Sequence, residues 1–89
     1  MNYTYEVVIF ANNEEMVLRT NSINSALTAF FDGLCDDHHV HLVNGFTGEV
    51  FAIANAPNMA NYATEEMSLM MFGWAIQHFP AEMAFTLFK

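Results

Sequence analysis

Between Tyr3 and Phe10 the side chains alternate, with Tyr3, Tyr5, Val7 and Ile9 on one side and Thr4, Glu6, Val8 and Phe10 on the other. A period of two is that of a strand, and apolar residues on both sides towards its end predict a central or doubly covered strand. Asn12-Asn13-Glu14 supplies a turn, since Asn tolerates positive φ, and Met16 to Thr20 reads as the returning strand of a hairpin. Asn21 and Ser22 are N-cap residues for a helix whose apolar positions Ile23, Ala26, Leu27, Phe30 and Leu34 follow helical spacing, ending near Cys35.

Val40 to Val43 and Val50 to Ala54 flank Asn44-Gly45-Phe46-Thr47-Gly48-Glu49, whose glycines allow a reversal, so a second hairpin is predicted there, closed by Pro57. Asn55 to Asn61 reads as a linker too short to separate domains. Thr64-Glu65-Glu66 opens a second helix with a cap and with acids that suit the positive end of the helix dipole, and Pro80 closes it. This helix is apolar nearly all round: Met67, Met70, Met71 and Trp74 lie on one side, Leu69, Phe72, Ile76 and Phe79 on another. One sheet face covers a single stripe. The second is left to the tail Met83 to Phe88, which alternates like a strand, or to a second copy of the chain, with Met67, Met70, Met71 and Trp74 as the candidate homodimer interface.

These elements predict one α+β domain spanning residues 1–89, ordered β-β-α-β-β-α with a short C-terminal strand, in which a mainly antiparallel sheet carries both helices. A length of 89 residues allows one core, and a hydrophobic content of 54% with nine Phe and seven Met fills it. The single cysteine excludes an internal disulfide framework. Met1 runs straight into the first strand without a basic and apolar leader, and the longest apolar stretch, Met67 to Ile76, falls short of the roughly 20 residues of a spanning helix. A cytoplasmic protein without a membrane span is expected.

Charge changes the picture most. Ten carboxylates face two permanent cations, Arg19 and Lys89, for a formal net charge of −8. Such a surface is repelled by phosphate backbones and anionic headgroups, which disfavours direct nucleic-acid or membrane binding and favours a basic partner. The acids fall at turns and helix ends, where Glu14, Glu15, Asp32, Asp36, Asp37, Glu49, Glu65 and Glu66 are the candidate partner-binding residues.

Catalytic chemistry finds little support. Adjacent acids such as Glu14-Glu15, Asp36-Asp37 and Glu65-Glu66 diverge on either kind of element and make poor acid/base dyads. No phosphate loop, glycine-rich fingerprint or nucleophile elbow is present, and a Cys35 thiol beside Asp36 and Asp37 at a helix C-terminus is deactivated. His39 and His41 share a face of a strand beginning at His39, and with His78 or Glu49 they are weak candidates for a transition-metal site, although the spacing matches no closed zinc pattern. No cofactor is expected.

The leading expectation is therefore a non-enzymatic acidic module that docks on a basic surface of a larger nucleic-acid-binding protein, mimicking a short run of phosphates and so inhibiting it. Phage and mobile-element inhibitors, anti-CRISPR proteins among them, look like this as a class, a likeness of composition that rests on no motif. A homo-oligomeric structural module whose acids only confer solubility is the alternative, and a His/Asp metal-binding regulatory domain the second.

Overall fold

The computed structural model describes residues 2–55 and 58–82. Five strands and two helices follow one another: β1 (Tyr5–Ala11), β2 (Glu14–Thr20), α1 (Ile23–Cys35), β3 (His39–Asn44), β4 (Val50–Asn55), β5 (Asn58–Ala63) and α2 (Glu65–His78). The strands form a single antiparallel sheet in the order β2-β1-β3-β4-β5. The α+β class and the antiparallel sheet are those the sequence pattern predicts.

Local chemistry accounts for most boundaries. Asn12 and Asn13 both take positive φ (51° and 65°), which gives a two-residue turn whose twist matches the flanking strands and pairs Ala11 with Glu14. Ser22 caps α1, its Oγ accepting the Ser25 N–H at 3.2 Å, and Thr64 caps α2 by accepting the Met67 N–H at 3.2 Å. In the β3–β4 turn Asn44 Oδ1 accepts the N–H groups of Phe46 and Thr47. Gly45 is required there by close packing: its N–H reaches Thr4 O, and a Cβ at this position would meet the Tyr3 carbonyl at 1.9 Å.

One expectation is corrected. Part of the stretch expected to be a linker is β5, an edge strand that pairs with β4 through Ala52 and Ala63, Ile53 and Tyr62, and Asn55 and Asn58. Asn58, Ala60 and Asn61 have low strand propensity and follow directly on Pro57 in the sequence, which hides it. Of the two readings of β1, central or doubly covered, the sheet order bears out the first, and one face alone is covered: Val7 is fully buried, while Val8 is half-buried and Phe10 exposed on a face that no described element covers. Pro57 and the tail expected to form a terminal strand lie outside the described residues.

Both helices pack on the same side. Val7, Val40, Leu42, Ala52 and Ala54 from the sheet meet Ala26, Leu27, Phe30, Phe31 and Leu34 from α1 and Met67, Met71 and Ala75 from α2 in one core. The helices touch through Trp74, whose indole stacks on Phe31 at 4.9 Å and donates to Asn24 Oδ1 at 2.9 Å. Met67 and Met71, expected at a dimer interface, are buried in this core, and Trp74 is committed to α1. Solvent instead meets Leu69 and Ile76 on the outer side of α2.

Candidate functional site

Every candidate partner-binding acid is exposed. Strand direction sorts them into two poles. β1 runs towards Phe10, which lies opposite Glu15 on β2 and opposite His39 on β3. The Glu14-Glu15 hairpin tip and the α1–β3 junction with Asp36 and Asp37 therefore lie at the same end of the sheet, on either side of β1, although about 20 residues separate them in the chain. Asp32 stands one helical turn earlier. At the opposite end of the sheet, Glu49 pairs through its carbonyl with Asn44 N–H at 2.8 Å, and Thr64 N–H reaches Phe51 O at 2.9 Å, which sets Glu65 and Glu66 near the same end.

The two poles differ in physical cost. Glu65 and Glu66 occupy the first turn of α2, where the helix dipole favours negative charge, so they stabilise the helix that carries them. At the other pole the acids oppose the fold. Asp36 is the C-cap of α1, Asp32 lies in its last turn, and that turn holds no basic residue. The Asp36 N–H donates to Asp32 O, Asp37 N–H to Leu34 O and His38 N–H to Gly33 O, a Schellman ending that needs the left-handed conformation at Asp37. Asp37 adopts it with φ 63°, where glycine is the usual occupant. Negative charge is thus placed at the negative end of a dipole, in backbone that an L residue enters at a cost.

The shared field at this pole registers on Cys35. Partial desolvation first, and then Asp32, Asp36 and Asp37, push its thiol pKa up, so it is poorly suited to act as a nucleophile at neutral pH. An open groove of about 480 Å³ runs along the hairpin tip between Phe10 and Glu15. A second cleft, of about 250 Å³, lies at the other pole between Tyr5, Phe51, Met67 and Met70, with Glu66 as the one carboxylate of its lining.

The histidines separate. His39 and His41 point from β3 onto the uncovered sheet face, their Nε2 atoms 2.7 Å apart in a hydrogen bond, and Phe10 packs against both rings at 5.4 and 5.0 Å. Burial first, and His39 second, hold the His41 pKa below the ordinary imidazole value, against an opposing pull from Glu15. His78 does not join them: it stacks on Trp74 at 4.0 Å and bonds the Trp74 carbonyl through Nδ1. Glu49 lies at the far pole. Among the described residues, no group of three or more His, Cys, Asp or Glu side chains is positioned to hold a metal ion.

What sequence reading missed is the uncovered face itself, carrying Phe10, Val17 and Tyr62 beside the histidine pair. The signal was Met16-Val17-Leu18, a consecutive apolar run in a strand bounded by charge, which cannot be buried on both sides at a sheet edge. No helix of the described residues is long and apolar enough to cross a membrane. No family model matches the chain, and no curated protein or solved structure is found to be similar to it.

Proposed function

We propose that the chain is a non-enzymatic acidic module that docks on a basic surface of a larger nucleic-acid-binding protein and occupies part of its nucleic-acid channel. The observation that carries this reading is the Asp32-Asp36-Asp37 cluster at the C-terminus of α1. Acids that served only solubility could sit anywhere on the surface. These sit where the helix dipole opposes them, each at a cost of about 0.3–1 kcal/mol, and one of them holds a left-handed backbone. Glu14 extends the same pole across the hairpin tip. Arg and Lys side chains of a partner would find there several carboxylates free of ion pairs among the described residues, where the ion pair present is Arg19–Glu6 at 3.8 Å, on the open sheet face.

A short array of carboxylates steers a basic channel much as phosphates do, with a fast, salt-sensitive encounter. The class of phage and mobile-element inhibitors, including anti-CRISPR proteins, supplies the biological setting for such a mimic. The encounter is assigned to the cytoplasm, where a lone cysteine such as Cys35 stays reduced.

Affinity capture from nuclease-treated host lysate, with wild type and Asp36→Lys side by side under rising salt, tests the reading. Lysine at the C-cap suits the helix dipole, so weaker capture by Asp36→Lys cannot be ascribed to unfolding. A basic nucleic-acid-binding protein should be retained by wild type at low salt and lost with the substitution, while Glu65→Lys at the other pole has the smaller effect. Equal capture by wild type and Asp36→Lys would sink the proposal.

A further inference from the structure

β2 is an edge strand of seven residues, and among the described residues it pairs with β1 alone. Natural edges are commonly blunted by proline, lysine, bulges or short length. This one has an uninterrupted register from Glu14 to Thr20 and no proline, lysine or bulge; the guard it does carry is charge, at Glu14, Glu15 and Arg19. Met16, Val17 and Leu18 along it are 50%, 41% and 42% exposed.

The hairpin fixes which main-chain groups face outward. In a two-residue hairpin the residues flanking the turn form the closing hydrogen-bonded pair, here Ala11 and Glu14. Hydrogen-bonded and non-hydrogen-bonded pairs then alternate, so Met16, Leu18 and Thr20 bond to β1, and the N–H and C=O groups of Glu15, Val17 and Arg19 point away from it.

We infer that this edge pairs with a second copy of the chain, β2 against β2 in antiparallel register about a two-fold axis at Val17. That register sets Val17 against Val17 of the other copy, Glu15 against its Arg19, and Arg19 against its Glu15. The residues brought opposite one another are those whose main-chain groups face outward, so the parity needed for ladder hydrogen bonds is already satisfied. Glu15, Val17 and Arg19 also share the open face of the sheet, which places opposite charges directly across the new ladder. On the helix side, Met16 meets Leu18 of the other copy, which covers exposed apolar surface. The segment Glu15-Met16-Val17-Leu18-Arg19 is self-complementary in charge and in hydrophobic pattern when read against itself in reverse, as an isologous interface requires. A two-fold pairing of the edges in parallel would turn the open face of one copy to the helix side of the other and would not bring Glu15 opposite Arg19, so the antiparallel dimer is the one the charges select.

This assembly is independent of docking through the α1 aspartates. It consumes Glu15 and leaves Asp32, Asp36, Asp37 and Glu14 exposed.

Sedimentation equilibrium across low-micromolar to near-millimolar concentration should show a monomer–dimer equilibrium in the wild type. Val17→Pro removes an N–H that makes no bond within the subunit. It should leave helical circular dichroism in place and reduce dimerisation to the point where only monomer is seen. Glu15→Arg should weaken the dimer by about tenfold or more through two like-charge pairs, and Glu15→Arg with Arg19→Glu should restore it. A wild type that stays monomeric at the highest concentration overturns the inference. So does a dimer that withstands Val17→Pro, or one that the double exchange fails to restore.

Discussion

Asp37 shows in one residue how stability and charge placement pull apart. Its φ of 63° is a conformation in which glycine loses nothing to Cβ crowding, and its carboxylate adds to Asp32 and Asp36 at the negative helix end. Asp37→Gly should therefore raise stability by about 0.5–1.5 kcal/mol, read as an upward shift of the urea midpoint at unchanged slope. The same substitution should weaken capture of a basic partner. A variant that is stabler yet binds less well is difficult to explain by damage to the fold, and a loss of stability instead would remove the strain assigned to this residue. At this scale the sequence was informative about caps and turns, because Ser22, Thr64 and the Asn12-Asn13 pair act on neighbours a few residues away. It placed Asp32, Asp36 and Asp37 around the end of α1 but not at the same end of the sheet as Glu14, which follows only once β1 has paired with both β2 and β3.

Among the elements, α2 is the one whose sequence misleads. Its apolar residues encircle it, so periodicity alone cannot say which side faces the sheet. The choice is made by α1: Phe31 stacks on Trp74, and Met67, Met71 and Ala75 follow at four-residue intervals as the buried stripe. Met71→Ala should cost about 2–5 kcal/mol by opening a cavity, whereas Ile76→Ala, at 49% exposure, should stay within about 0.5 kcal/mol of wild type; thermal or urea unfolding of the pair decides it. Comparable losses from both would mean that the outer side of α2 is covered. β5 was illegible for a different reason. Strand signals in sequence come from β-branched and aromatic residues in alternation, and Asn58, Ala60 and Asn61 supply none of them.

For the whole molecule, a formal charge of −8 on an 89-residue chain makes self-repulsion a global term that two acidic poles only partly relieve by separation. Screening should therefore stabilise the fold. In the Val17→Pro background, where self-association does not enter, the melting temperature should rise as sodium chloride goes from about 10 to 150 mM, with about 4–8 °C for each kcal/mol gained. A fall would mean that attractive pairs outweigh repulsion. The antiparallel sheet and α+β class were readable in advance because hairpin turns and helix caps are local. Which face of the sheet stays open was not, because it follows from both helices lying on one side.

Trp74 gives the molecule a reporter of its own. It is the sole tryptophan of the chain, sandwiched between Phe31 and His78 with its indole N–H held by Asn24. Its fluorescence therefore reads the contact between the two helices rather than the pairing of the β2 edge. Emission from this ring certifies the core in the same cuvette in which an edge variant is tested, without any added label.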